Sequence, residues 1–101
     1  MYDGISSTGT FVLDESLVSL PESEIDQLLA EHVEEIRHQV PPRVILNLVG
    51  VENLSNIHLG FLLVFLERAE KHGVRVGLIE YNEQVRNTQN RLSFHVLFDL
   101  L

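Results

Sequence analysis

The chain has 101 residues, enough for one domain with a hydrophobic core and too few for two. Its net charge is −8 with histidine neutral, and its seven lysine and arginine residues are scattered, so phosphate backbones and anionic lipids are repelled. It has no cysteine, which excludes disulfides and thiolate metal sites. We therefore expect one cytoplasmic domain over residues 1–101 that binds neither nucleic acid nor membranes.

Targeting segments are not expected either. The stretch Met1–Gly4 lacks the basic and apolar regions of a signal peptide. The longest apolar run, Leu59–Leu66, is less than half of the roughly 20 residues that cross a bilayer.

Two short apolar runs and a helix occupy the first part of the chain. The runs Thr10–Leu13 and Leu17–Leu20 are separated by Asp14-Glu15-Ser16, which predicts two strands or one bent strand. Ser19-Leu20-Pro21-Glu22 fits the S-x-x-E capping pattern and predicts a helix start. The following residues are apolar on one helical face and acidic on the other, and Pro41-Pro42 ends the helix.

A strand, a helix and a second strand follow. Arg43–Val49 is nearly all β-branched or apolar, which is typical of a central strand covered on both faces. The helix Ile57–His72 is apolar nearly all round in its first half, and Gly73 suits a left-handed cap. Val74–Ile79 is predicted as the next strand, so the unit is βαβ with parallel strands.

The C-terminal part is less regular. Asn82 is predicted to cap a third helix in which Asn87–Arg91 is entirely polar. Such a helix is held mainly by Val85, Leu92 and Phe94, so it is either mobile until a partner orders it or simply solvated on one face. The chain from Phe94 onward is predicted as an apolar turn or short helix.

Four segments occur in an order and spacing that a known family shares. They are a strand, loop and helix start (Val44–Gly60), a helix end and strand (Lys71–Leu78), a helix start like S-P-E-V-R (Asn82–Arg86) and a closing L-x-x-L/I-F-like segment (Phe94–Phe98). Through them Arg43–Leu101 resembles the STAS domain of anti-sigma-factor antagonists, stressosome proteins and anion-transporter tails. The resemblance implies a single STAS-like α/β domain, with a small mixed sheet of about four strands, a parallel βαβ unit and three to four helices.

The resemblance also places a contact site at the start of the long helix. The family carries a Ser or Thr there that a partner kinase phosphorylates, within the motif D-S-S/T-G. That motif falls on Ser55, Asn56, Ile57 and His58, and every position differs. Asn56 and Ile57 cannot be phosphorylated, and His58 replaces a glycine that lets the partner backbone approach. The resemblance therefore implies partner contacts at Asn53, Ser55, Asn56, Ile57 and His58, without the usual switch.

Ser55 itself has two interpretations. Either it, or Asn56, caps the helix. Alternatively the loop is shifted and Ser55 is the phosphoacceptor, where a phosphate breaks one protein contact and permits another.

No metal site, cofactor or catalytic residue is expected. The five histidines include no H-x-x-x-H or H-E-x-x-H pair, and only His58 lies beside the predicted contact site. The chain has no G-x-S-x-G, Walker-type or G-x-G-x-x-G motif, so we do not expect an enzyme.

Three hypotheses for function follow. The first is a bacterial regulator of transcription or signalling that binds an anti-sigma factor, a kinase-like regulator or another STAS chain. The second is a structural subunit that assembles with other STAS chains into a stressosome-like oligomer, with the N-terminal segment at an interface. The third is a sensor that binds an anion or nucleotide at the helix N-terminus near Asn56.

Overall fold

The computed structural model describes residues 5–7 and 9–101, and five strands in them form one sheet in the order β1-β2-β3-β4-β5. The strands are β1 (Ile5–Ser7), β2 (Thr10–Val12), β3 (Arg43–Asn47), β4 (Arg75–Ile79) and β5 (Asp99–Leu100). Strands β2 to β5 are parallel, and β1 pairs antiparallel with β2. The predicted mixed sheet with a parallel βαβ unit is confirmed, with five strands where about four were expected.

Five helices accompany the sheet in the same part of the chain, where three to four were expected. They are α1 (Glu15–Val18), α2 (Glu22–Arg37), α3 (Asn56–Lys71), α4 (Glu83–Arg91) and α5 (Phe94–Leu97). None of these described helices has both the length and the hydrophobicity needed to cross a membrane. Residues 1–4 lie outside the described residues. The expected lack of an export signal rests on them. The interface that the assembly hypothesis assigns to the N-terminal segment also falls partly on them.

Residues 15–18 form a helical turn, so the predicted strand over Leu17–Leu20 is wrong. The Asp14 carboxylate accepts a hydrogen bond from the Leu17 N–H at 3.0 Å and caps this turn. Leu17 is fully buried. A short apolar run suits either element, and the aspartate cap favours the helix.

Helix α2 is amphipathic as predicted, but its start and end differ from the prediction. Pro21 occupies the N-cap position without a side-chain hydrogen bond, and the Ser19 hydroxyl donates instead to the carbonyl of Glu15 at 2.6 Å. The predicted capping box is therefore wrong. The helix ends at Arg37, before the two prolines, and the N–H of His38 after it donates to the Glu35 carbonyl at 3.3 Å.

Strand β3 lies at the centre of the sheet between two parallel neighbours. Val44 and Leu46 are fully buried, whereas Arg43, Ile45 and Asn47 are half-buried. Helices α2 and α3 pack against strands β3 and β4. This alternation shows that one face of β3 is fully covered and the other only partly. The expectation of two covered faces is therefore wrong, because an apolar composition does not show how completely each face is covered.

An ion cluster joins the three strands β3, β4 and β5. Arg43 Nε and Arg75 Nε each donate to Asp99 Oδ2 at 2.8 Å. The hydrogen bond from Arg75 is the main cause that lowers the pKa of Asp99, burial opposes it, and Arg43 adds to it. Gly77 lies in β4, the middle one of these three strands, and a Cβ there would be 2.9 Å from Arg43 Cδ. The glycine therefore lets the Arg43 side chain cross β4.

The C-terminal part combines predicted and unexpected features. Asn82 caps α4 as predicted, accepting the Val85 N–H at 2.8 Å. Val85 and Phe94 are buried, but Leu92 is 46% exposed and Gln89, inside the polar stretch, is fully buried. The predicted short helix is α5, and the strand β5 after it was not predicted.

Candidate functional site

The loop after β3 leaves the sheet at the edge where the parallel strands end. Leu48 and Val51 are buried, and the Val51 N–H donates to the Leu48 carbonyl at 3.0 Å. The Asn47 amide oxygen accepts the Val49 N–H at 2.9 Å. These contacts hold the base of the loop. Toward α3, Glu52, Asn53 and Ser55 face solvent, while Leu54 is half-buried against the core.

Residues 53–58, which we call the corner, contain all five predicted contact residues in one continuous turn and helix start. Asn53, Ser55, Asn56 and Ile57 are exposed, and His58 is half-buried. Ile57 is 69% exposed. One exposed apolar residue is ordinary on a protein surface, so Ile57 gains significance only from what lies beside it.

Ser55 caps α3, which is one of its two predicted roles. Its hydroxyl oxygen accepts the His58 N–H at 3.4 Å, and the Nδ1 of His58 accepts the Ser55 N–H at 3.2 Å. The two residues form a capping box in which histidine takes the place usual for Glu or Gln. The His58 ring is thereby held against the helix start, and Asn56 is the first residue of the helix.

A groove of about 180 Å³ runs beside the corner, between α3 and the segment from α1 to the start of α2. Its lining is apolar except for one glutamate: Val18, Leu20, Glu22, Ile25, Ile57, Gly60, Phe61 and Val64. A Cβ on Gly60 would meet nothing within 4 Å, so the groove is open at that point. Because Ile57 belongs to both the corner and the groove, the two form one surface.

The groove itself was not predicted from the sequence. One signal was present, since α3 is apolar nearly all round in its first half and so has more apolar positions than one buried face uses. Ile57 and Leu63, which is 52% exposed, are the positions left over. The α1 side of the groove could not be anticipated while that segment was read as a strand.

Asn82 connects the loop after β3, residues 48–55, to α4. We call this loop, which leads into the corner, the corner loop. Its side-chain nitrogen donates to the carbonyls of Val51 at 3.3 Å and Glu52 at 3.0 Å. Its side-chain oxygen accepts the N–H of Val85, in the first turn of α4. One side chain thus joins the loop after β3 to the helix after β4.

A second depression of about 540 Å³ lies at the start of α4. It is lined by Glu80, Tyr81, Asn82, Glu83, Arg86, Asn87 and Leu101. The Arg86 guanidinium lies 5.8 Å from the centre of the Tyr81 ring. Two carboxylates in the lining, Glu80 and Glu83, oppose an anionic ligand here.

Two further histidines, His32 and His72, have separate local contacts. His32 Nδ1 lies 2.8 Å from the Leu28 carbonyl, and its ring packs edge-on against Phe11. His72 Nε2 lies 3.8 Å from the Asp26 carboxylate. Over the part of the chain that the structure describes, no three metal-ligating side chains come together.

The comparison with known proteins gives one match. The family model described as STAS domain matches residues 2–100. No curated protein and no solved structure matches the chain. The match includes the two strands and two helices before Arg43, which the resemblance of residues 43–101 did not cover. Together with the parallel sheet and the loop and helix at the corner, it shows that this chain belongs to the STAS-domain family.

Proposed function

We propose that the chain is a protein-interaction domain of the anti-sigma-factor-antagonist type, which regulates cytoplasmic transcription or signalling by binding a partner and not by catalysis. The observation that carries the proposal is that the exposed corner continues into an apolar groove through Ile57. Protein interfaces combine an apolar centre with a polar rim, and here the groove supplies the centre. The amides of Asn53 and Asn56 supply exposed donors and acceptors for the rim.

The charge near this surface restricts the partner. Residues 9–36 and 44–67 contain no lysine or arginine. Glu22 lines the groove but pairs with Arg68, so the exposed Glu52 in the corner loop supplies the negative charge beside the corner. A contact segment that inserts an apolar side chain and carries lysine or arginine at its rim complements this surface. We propose such a segment on an anti-sigma factor, a kinase-like regulator or another STAS chain.

Binding is proposed to be independent of phosphorylation. Asn56 and Ile57 occupy the positions where the family's phosphoacceptor is expected, and the Ser55 hydroxyl takes part in the helix cap. Occupancy of the partner is then set by relative affinity and amount. Incubation with ATP and candidate kinases tests this, because stoichiometric phosphate on Ser55 would reject an ungated domain.

Two matched substitutions test the surface. Ile57→Ser removes an exposed apolar side chain from the groove, and Leu63→Ser removes a similar one from the same helix outside it. The test is binding to a panel of anti-sigma-factor kinases and STAS chains from the organism that encodes this one. We expect Ile57→Ser to weaken binding about fivefold or more, because loss of a central anchor costs more than about 1 kcal/mol. Equal effects of the two substitutions would place the interface elsewhere.

Gly60→Ala separates binding from stability. The added methyl meets no atom within 4 Å and replaces a glycine inside α3, so the free energy of unfolding should rise by about 0.5–1 kcal/mol. The same methyl partly fills the groove and should weaken partner binding. A more stable variant with unchanged affinity would show that the partner does not enter the groove.

A structural subunit is the second candidate, favoured by apolar side chains on and beside α5. Leu92, Val96 and Leu97 are 46%, 73% and 45% exposed. Burial of these residues against another copy would favour assembly. Light scattering of the chain and its Val96→Ser variant tests this: an oligomer that the substitution dissociates supports the second candidate, and a monomer in both rejects it.

A further inference from the structure

Helix α4 is held to the rest of the domain by little apolar contact. Only Val85 and Gln89 of its nine residues are buried. Gln89 is fully buried, yet neither its side-chain oxygen nor its nitrogen has a hydrogen-bond partner among the described residues. One of the two side chains that fix this helix is therefore an amide whose polar atoms are unsatisfied.

A buried amide without partners opposes the docked position of the helix. Water satisfies both polar atoms of Gln89 when α4 moves away, so opening recovers the desolvation cost of that side chain. The exposed residues of α4 gain little from docking, because they are already solvated. These features are those of a segment with low local stability.

The start of α4 is also attached to the corner loop. Asn82 donates to the carbonyls of Val51 and Glu52 and caps α4 through Val85. Displacement of the helix start therefore removes two hydrogen bonds from the loop that leads into the corner. Conversely, a loop held in one conformation positions the residue that caps the helix.

We propose that α4 is a conformational switch element: it undocks locally while the sheet stays folded, and Asn82 transmits its docked or undocked state to the corner. Gln89 sets the equilibrium by destabilising the docked state. The regulatory role of the switch rests on the proposed function of the corner. The undocking of α4 and its coupling to the corner do not rest on that function, because both are measured on the free protein.

The experiment is native-state hydrogen exchange of individual amides, followed by NMR, in wild type and Gln89→Met. Methionine keeps the length of glutamine without its polar atoms. We expect α4 amides to exchange faster than those of β3 and β4 in wild type. In Gln89→Met their protection should rise roughly tenfold, the factor that corresponds to about 1.4 kcal/mol. Gln89→Glu, which buries a charge, should lower α4 protection while β3 stays protected.

Asn82→Asp tests the coupling. Aspartate keeps the oxygen that caps α4 and loses the nitrogen that donates to the loop. The Val51 amide, which bonds to Leu48 inside the loop, reports on the loop. In the wild-type background its protection should change with residue 89 in the same direction as that of α4, and in Asn82→Asp it should no longer respond.

Three results would overturn the proposal. Protection of α4 equal to that of β3 and β4 would show that α4 opens only when the whole domain unfolds. Unchanged or lower α4 protection in Gln89→Met, with unchanged stability in urea, would show that the amide does not oppose docking. A Val51 response that survives Asn82→Asp would show that the two segments are linked by another route. Since no partner is present, none of these results depends on the proposed function.

Discussion

Replacement of Asp99 by asparagine tests how much the cluster of two arginines and one aspartate stabilises the sheet. Asparagine keeps the shape of the side chain and removes its charge, so the Arg43 guanidinium loses its counter-ion. Exposed ion pairs contribute about 0.2–1 kcal/mol, whereas removal of one partner of a buried pair costs about 3–5 kcal/mol. Arg43 and Asp99 are 25% and 18% exposed, so their pair is intermediate between an exposed pair and a fully buried one. We expect the free energy of unfolding to fall by about 2 kcal/mol.

Urea unfolding followed by circular dichroism measures this loss by linear extrapolation. In a thermal scan the same change should lower Tm by roughly 10 °C. Glu67→Gln is the matched control, because it removes one carboxylate from the exposed pair with Lys71 on α3. We expect the control to cost less than about 0.5 kcal/mol. Equal losses in the two variants would refute the conclusion that burial strengthens the cluster.

The pH dependence of Asp99→Asn gives an independent check. The pKa of Asp99 is lowered, first by the hydrogen bond from Arg75. A carboxylate with a lowered pKa stabilises the fold above its unfolded pKa, near 3.8, and this stabilisation is lost as the pH falls through the folded pKa. The difference between wild type and variant should be constant from about pH 7 to pH 5 and shrink below about pH 4. A constant difference down to about pH 3 would contradict the assignment.

Substitutions at three further positions have defined outcomes. Gly77→Ala should destabilise the wild type by about 1 kcal/mol, because its Cβ would lie 2.9 Å from Arg43 Cδ, and should cost less when Asp99 is already asparagine. In urea unfolding, Ser55→Ala should cost about 1 kcal/mol by removing the α3 cap, while Ser55→Asp keeps an acceptor and should cost less. Arg68→Lys should lower Tm, since Arg68 binds two α2 carboxylates and lysine lacks the fork that reaches both.

The centre of the fold could be predicted because its local signals agree. The β-branched run of β3, the apolar start of α3 and the left-handed Gly73 each favour the same βαβ unit. Two of the failures, the strand predicted over Leu17–Leu20 and the missed β5, occurred where a segment was too short to carry a period. Four residues around Leu17 fit a strand or a turn of helix, and β5 has only two residues, so pairing with β4 alone defines it.

The candidate site was likewise predictable from the sequence only in part. The corner follows from the order of strand, loop and helix, and the Ser55 cap from its residue type and position. The groove depends on how α1 packs against α3, which no spacing within either segment shows. Gln89 could not be foreseen as a buried residue, because it lies within five consecutive polar residues and only the neighbouring elements determine its burial.

The choice of asparagine at position 82 connects these observations. Asparagine, aspartate and serine cap helices about equally well, so the cap alone does not require an amide. Strands β3 and β4 are parallel neighbours, so the loops that follow them leave the same edge of the sheet and can touch. The backbone of the corner loop presents two carbonyls there, and only asparagine among these three residues can donate to both while it accepts the Val85 N–H. The side chain at position 82 therefore makes hydrogen bonds to the helix and to the loop at the same time. A conformational change in either segment should for that reason alter the other.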